Sequence, residues 1–397
     1  MHIVVLGGGG AMGRVTVRAL AEDERVDRVT VADLRREAGE RTLAWLERGR
    51  EKAHAVACDV TATDALAALL ADADAVLNAT DYPFNLDVMR AALVARVPYA
   101  DLGGLFHMTR RQYEMHDAFV EAGVTAVLGI GSTPGITNVL ARVAADQFDT
   151  VEQLHVRIGS ADLRAGDVAF APPYSIRTIF DECTLEPMVY TGGEWQAVSP
   201  LTGYEAIDFP APMGHSTALY TLHSEVALFP VSFGTRGLRE ASFKIAFPPR
   251  FLEQLMLLVD LGLAGTNPVE ARGAERGRKV KVAPRELLVA LLERRELPTG
   301  EPDDCDVLRV DARGTKDGVA IELREEMVAL PHRPWSIASG DLDTGVPLAI
   351  AGILLAGGAS RLPGTHGAEL VFEPRQFLAE LARYGLHAQE TVTRTLS

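Results

Sequence analysis

Apolar and polar positions change rhythm along this chain, and the change divides it. From Ile3 to Ile130, short continuous apolar runs alternate with stretches of helical period. The runs are Ile3–Leu6, Val29–Ala32, His54–Ala57, Ala75–Asn78, Pro98–Leu102 and Thr125–Ile130. Helical spacing fills Met12–Ala21, Arg36–Arg48, Asp64–Ala71, Asn85–Ala95 and Thr109–Ala122. Apolar strands between amphipathic helices predict a parallel sheet covered on both faces. After Asn138 the texture turns antiparallel, with strands at Leu154–Ile158 and Val189–Tyr190. Val307–Asp311 is expected to pair with Val319–Arg324 through a turn at Lys316-Asp317-Gly318. Residues 298–306 read as a loop; residues 344–356 and Pro374–Tyr384 read as helices.

The expected fold class is α/β: a Rossmann-type doubly wound parallel sheet plus a second, mixed-sheet α/β (α+β) domain. The boundaries fall at residues 1–131, 132–340 and 341–397, the last a helical segment returning to the first domain. A chain of 397 residues exceeds one ordinary core, in keeping with two domains. The net charge of -15 argues against nucleic acid as a partner. The basic run Arg272–Lys281 lacks interleaved aromatics and reads as a solvated surface connection. Cys58, Cys183 and Cys305 are dispersed and odd in number, which fits a reducing cytoplasm. Neither Cys-x-x-Cys nor His-x-x-x-His occurs, so no metal is expected. The apolar stretch Val346–Gly358 is too short to span a bilayer, and no membrane association is expected.

The first apolar run leads directly into Gly7-Gly8-Gly9-Gly10-Ala11-Met12-Gly13 and then a helix. Gly8, Gly10 and Gly13 satisfy G-x-G-x-x-G in its required strand–turn–helix context, with Ala11 and Met12 at the helix start. Asp33, twenty residues on, ends the second run, where a carboxylate binds ribose hydroxyls and repels a 2′-phosphate. NAD is therefore the expected cofactor, although Arg35 and Arg36 could tolerate the extra phosphate. Asp59-Val60 either touches the adenine or caps the next helix. In a doubly wound sheet the reactive end of the cofactor lies over the later strand tips. Those tips carry Thr80 and Tyr82, then Asp101 and Gly103, then Gly131–Asn138.

Together the glycine loop, Tyr99-Ala100-Asp101-Leu102-Gly103-Gly104, Ala122-Gly123-Val124-Thr125 and Gly131-Ser132-Thr133-Pro134-Gly135-Ile136-Thr137-Asn138 resemble the saccharopine dehydrogenase family over nearly the whole chain. The family resemblance extends to Thr344–Pro347, and Asp101–Thr109, Pro173-Tyr174-Ser175-Ile176 and Tyr220–Glu225 are most similar to the branch that oxidises the ε-amine of lysine with NAD, the lysine 6-dehydrogenases. That resemblance implies a small-molecule amino-acid substrate, ammonia release and a homodimer or higher homo-oligomer built through the second domain. Saccharopine-forming members carry Asp-Pro-Gly-Ile-Asp where this chain has Thr133-Pro134-Gly135-Ile136-Thr137, which favours a simpler amine. The alternatives are a saccharopine- or carboxynorspermidine-type reductase, and a dinucleotide-binding protein without chemistry.

Amine oxidation needs a neutral amine, hence a base or an apolar pocket. Asp101, Tyr174 and His223 are the catalytic candidates. Asp101 would steer the cationic amine or cap the next helix. His223, flanked by Ser224 and Glu225, suits a general base. Tyr174 would donate a hydrogen bond to substrate or sit in the core. Thr133, Arg177 and Glu225 are the substrate-binding candidates. Arg177 would clamp a carboxylate or pair with Asp181 on its own helix.

Overall fold

The computed structural model describes residues 1–164, 170, 172–273, 278–295, 300–358 and 362–394. In the first sheet, β1 (His2–Leu6), β2 (Arg28–Asp33), β3 (Ala53–Ala57), β4 (Ala75–Asn78), β5 (Tyr99–Asp101) and β6 (Thr125–Val127) are linked by helices. In the second half β7 (Thr150–Asp162) is followed by β8 (Met188–Thr191), β9 (Glu194–Ala197), β10 (Glu205–Asp208), β11 (His215–Tyr220) and β12 (Glu240–Ala246). A separate hairpin, β13 (Val269–Arg272) and β14 (Lys279–Val282), precedes β15 (Asp304–Lys316) and β16 (Val319–Ala329). The chain closes with β17 (Gly364–His366) and β18 (Ala388–Arg394).

The first sheet is wholly parallel in the order β17-β6-β5-β4-β1-β2-β3. Its order reverses beside β1, so β1 and β4 tips flank a crevice where a ligand can enter. The second sheet is mixed, with the path β10-β11-β12-β7-β15-β16-β18 and β8–β9 attached to β12. Here β7 and β12 run parallel while β15 opposes β7. The doubly wound sheet with a second mixed sheet is the architecture the apolar rhythm predicts.

Differences arise at element ends. The expected helix Thr109–Ala122 is two helices, Leu105–Tyr113 and His116–Ala122. The β15–β16 hairpin runs far beyond the expected strands, and part of the expected 298–306 loop is its first strand. Its turn holds: Lys316 pairs Val319 across Asp317 and Gly318, both at positive φ. Residues 300–303 of that stretch are irregular as expected, while residues 298 and 299 lie outside the described residues, as does the middle of the basic run, residues 274–277. Its flanks form the exposed β13–β14 hairpin.

The last part of the chain serves both sheets. The helix Ser339–Ala356 packs on Ala11–Glu22, where the Thr16 hydroxyl donates to the Gly345 carbonyl at 2.8 Å. That helix is long and apolar enough to cross a bilayer by length and composition, yet 78% of it is buried inside the fold. Strand β17 then extends the first sheet, while β18 covers the edge of β16. The C-terminal segment is therefore not purely helical: an edge strand with free N–H and C=O groups is a pairing site, and β18 fills it.

Candidate active site

At the crevice, β1 turns through the glycine loop into the helix Ala11–Glu22, whose N-terminus carries no side-chain cap. A Cβ at Gly13 would run into the Gly7 carbonyl oxygen, so the helix can approach the loop this closely only with glycine there. The uncapped N–H groups and the bare backbone form a cradle that fits a pyrophosphate. Asp33 reaches back to this loop: its carboxylate accepts from Gly9 N at 3.2 Å and from Arg35 N at 3.3 Å. Arg36 is held by Glu40 at 2.9 Å, leaving Asp33 as the loop's nearest polar reader. Asp33→Ala is expected to weaken NAD(H) about 10- to 100-fold while affecting NADP(H) less, the loss of a hydrogen bond to a charged group. Dissociation constants from nucleotide fluorescence titrations would check this. Asp59 takes the capping alternative, accepting from the Thr61 N–H and hydroxyl at 2.9 and 2.7 Å, with Val60 beside it on apolar neighbours.

The three expected strand tips meet. Pro134 sits against Gly103 and Gly129; the latter has φ +77°, and a side chain there would collide with the proline ring. Asp101 stands behind this junction, fully buried. Its Oδ1 accepts from Gly103 N at 2.8 Å and Gly129 N at 2.7 Å. Its Oδ2 accepts from Tyr99 Oη at 2.7 Å and Gln112 Nε2 at 2.5 Å. Burial pushes this carboxyl above the ordinary carboxylate range while the four donors pull it back. With both oxygens engaged, Asp101 clamps the tips of β5 and β6 and has no acceptor left to steer an amine. Thr80 bonds Asn78 at 2.6 Å, and Tyr82 donates to Asp181 of the second domain at 2.7 Å.

The stretch after β6 and the His223 motif form one network. Thr133 and Thr137 both donate to Oε1 of Glu225, Thr137 at 3.0 Å. His223 Nδ1 donates to Oε2 of the same carboxylate. Its ring stacks on Phe243 with centroids 3.9 Å apart and planes 9° from parallel. Glu225 opens the helix Glu225–Phe233, and Ser224 just before it accepts from Gly104 N at 3.4 Å. Tyr174 donates to Glu182 Oε2 at 2.5 Å, and Leu222 N bonds the Glu182 carbonyl at 2.9 Å. Four chain segments thus converge on one buried acid–base cluster.

Charges inside it are coupled. Burial pushes Glu182 up to about 7, with His223 and Tyr174 pulling it down and Glu225 and Asp181 raising it. For His223, burial disfavours the imidazolium, but Glu225 outweighs it and the pKa rises. Burial would raise Glu225, but His223 and Thr133 hold it below its ordinary value. Near neutral pH the cluster therefore holds Glu225 as an anion, His223 as its charged partner and Glu182 as a carboxyl able to give or take a proton. Nδ1 is committed to Glu225, so Nε2 is the nitrogen available for chemistry.

Arg177 is a correction. It lies on the open side of the helix Ile176–Thr184 and pairs with Glu286 at 2.6 Å, away from the cluster. Its expected alternative partner, Asp181, is taken by Arg285 at 2.7 Å. Glu182 was missed. Its signal is a carboxylate on the apolar face that Ile176, Ile179, Phe180 and Cys183 define. Among the described residues no group of three or more His, Cys, Asp or Glu could hold a metal ion.

A phosphate cradle at a doubly wound crevice, facing a buried acid–base cluster, defines a dehydrogenase that uses a nicotinamide dinucleotide. Residues 3–127 match the saccharopine dehydrogenase NADP-binding domain. The chain is 25% identical to carboxyaminopropylagmatine dehydrogenase of Synechocystis sp., over 99% of this chain and 98% of that protein. It is 25% identical to carboxynorspermidine synthase of Vibrio cholerae, over 97% and 96%. Apo saccharopine dehydrogenase (L-Glu forming) from Saccharomyces cerevisiae shares the fold, with a TM-score of 0.74 at 18% identity over 99% of both chains. The first 127 residues thus resemble the dinucleotide-binding domain of saccharopine dehydrogenases, as the motifs indicated, and the whole chain shares the fold of the yeast enzyme.

Proposed function

We propose that this protein makes or breaks a secondary amine by way of an imine, joining a cationic primary amine to a carboxylate-bearing aldehyde. The observation that carries the reading is the Glu182–His223–Glu225 cluster beside the dinucleotide cradle. It is supported by the two full-length relatives whose names describe carboxylated polyamines. It replaces the lysine ε-amine reading, which leaned on the absence of two carboxylates at Thr133 and Thr137. Those hydroxyls instead anchor Glu225, supplying a carboxylate to the same place from another helix.

Condensation of an amine with an aldehyde needs a base for the attacking ammonium and an acid for the departing hydroxyl. His223 Nε2 and Glu182 are the groups placed to move those protons, with Tyr174 holding Glu182 and Glu225 holding His223. A nicotinamide dinucleotide, when bound at the glycine loop, supplies or accepts the hydride at the imine carbon. Phe243 and the surrounding apolar side chains exclude bulk water.

A carboxyaminopropyl group follows chemically from reductive coupling with aspartate β-semialdehyde. The test is oxidation of NADH and NADPH with this aldehyde plus agmatine or diaminopropane, with lysine and saccharopine assayed separately as substrates for NAD reduction. Consumption that needs both amine and aldehyde supports the proposal. NADH formation from lysine alone, with ammonia released, would return the assignment to ε-amine oxidation.

A further inference from the structure

We propose that Asp304, Asp306 and Asp343 form a second cation subsite, separate from the Glu182–His223 cluster, that receives the distal ammonium or guanidinium of the amine substrate. The inference deepens the imine-reductase reading and rests on it for the identity of the ligand.

Asp304 and Asp306 open strand β15, and Asp341 and Asp343 lie in the first turns of the helix Ser339–Ala356 packed beside it. The Ser339 hydroxyl lies 2.8 Å from Asp304 Oδ2 and 3.1 Å from Asp306 Oδ2. Ser339 N also donates to Asp304 Oδ2 at 3.2 Å and Ser160 bonds Asp306, so the donors to both carboxyls are neutral groups. Asp343 is 1% exposed; Thr344 bonds its Oδ1 at 3.3 Å, while Oδ2 has no hydrogen-bond partner. A buried carboxyl oxygen left unpaired costs free energy, and a cationic donor placed there would recover it.

The cations near this group have other duties. Arg14 reaches Asp341 at 3.4 Å, and Arg164 is held by Asp162. Burial and mutual repulsion push Asp306 up to about 6 and Asp343 well above the ordinary range. The fold has thus gathered carboxyls that burial holds toward their neutral forms, and a cation bound among them would favour the ionised ones.

Position makes this a substrate feature. Asp306 is near enough to Tyr174 for its charge to raise that hydroxyl's pKa, and Tyr174 holds Glu182. Thr344, next to Asp343, packs toward Gly131 at the tip after β6. The subsite therefore adjoins the acid–base cluster on the side of the dinucleotide crevice. Its carboxylates do not make a metal-binding set among the described residues. Spread oxygens suit a multi-donor organic cation: a guanidinium offers five N–H groups in a plane and an ammonium three.

The test is calorimetric binding of agmatine, diaminopropane and butylamine to the full-length protein, with no aldehyde present, so that binding is read without turnover. Agmatine and diaminopropane are expected to bind at least tenfold more tightly than butylamine. In Asp306→Asn and Asp343→Asn that advantage falls tenfold or more, while butylamine and dinucleotide affinities hold. Wild-type discrimination that persists in both variants, or no discrimination between amines with and without the distal charge, would overturn the subsite. Should one variant fail to fold, the other carries the test. Failure of the coupling assay alongside retained discrimination would sink the catalytic reading and leave the subsite standing.

Discussion

Replacing Glu182 by glutamine is expected to lower turnover about 10²- to 10⁴-fold, the usual contribution of a placed acid or base. Dinucleotide affinity should be unchanged, because Glu182 sits in the second domain and not on the glycine loop. The wild-type pH profile of turnover should bend near 7, where burial holds the Glu182 carboxyl, and the glutamine variant should lose that bend. Stability provides an independent readout. The folded carboxyl holds its proton up to about 7 against an ordinary value of 4.5. Its contribution to stability is fully present below the lower value and is lost as pH rises through the higher one. Relative to wild type, Glu182→Gln should therefore melt higher at about pH 8–9 than it does at about pH 5, by a few degrees. Thermal melts across that range, paired with initial rates, check both halves. A variant with normal turnover would remove Glu182 from the chemistry.

Asp101→Ala is the second large effect, and it acts on stability. Four donors, the N–H groups of Gly103 and Gly129, Tyr99 Oη and Gln112 Nε2, would lose their acceptor in a site without water-facing surface. Breaking a buried charged network of this kind costs about 3–5 kcal/mol. Asp101→Asn keeps the shape but turns an amide toward donors, and it should cost somewhat less. Urea denaturation measures the loss. Activity should fall with the folded fraction, with the residual enzyme keeping the wild-type pH profile. An Asp101→Ala protein that is fully stable yet inactive would return Asp101 to the substrate, as its position at a strand tip first suggested.

These two residues also mark where the sequence could be read and where it could not. Asp101 was found because a residue after a parallel strand faces the crevice. Its role was misread because nothing local says that Gln112, on the following helix, and Gly129, after β6, donate to it. Glu182 went unnoticed because its meaning depends on Tyr174 and His223, eight and forty-one residues away. Thr133 and Thr137 were seen as missing carboxylates, yet the carboxylate arrives from Glu225. Arg177 is expected from the sequence to clamp a substrate carboxylate or to pair with Asp181, whereas Glu286 and Arg285, far along the chain, pair with Arg177 and Asp181 respectively.

What the sequence determined by itself was local and periodic. Apolar runs of strand length separated by amphipathic helices impose a parallel sheet, and a glycine loop between strand and helix imposes a phosphate cradle. Both follow from hydrogen bonding and sterics among near neighbours. What only the tertiary structure decided was which titratable groups share a desolvated space. Burial and mutual charge, not residue type, put Glu182 near neutrality and tie up Asp101. They also leave Asp343 with an unpaired oxygen, because each of those energies depends on groups that the fold, and not the chain order, brings together.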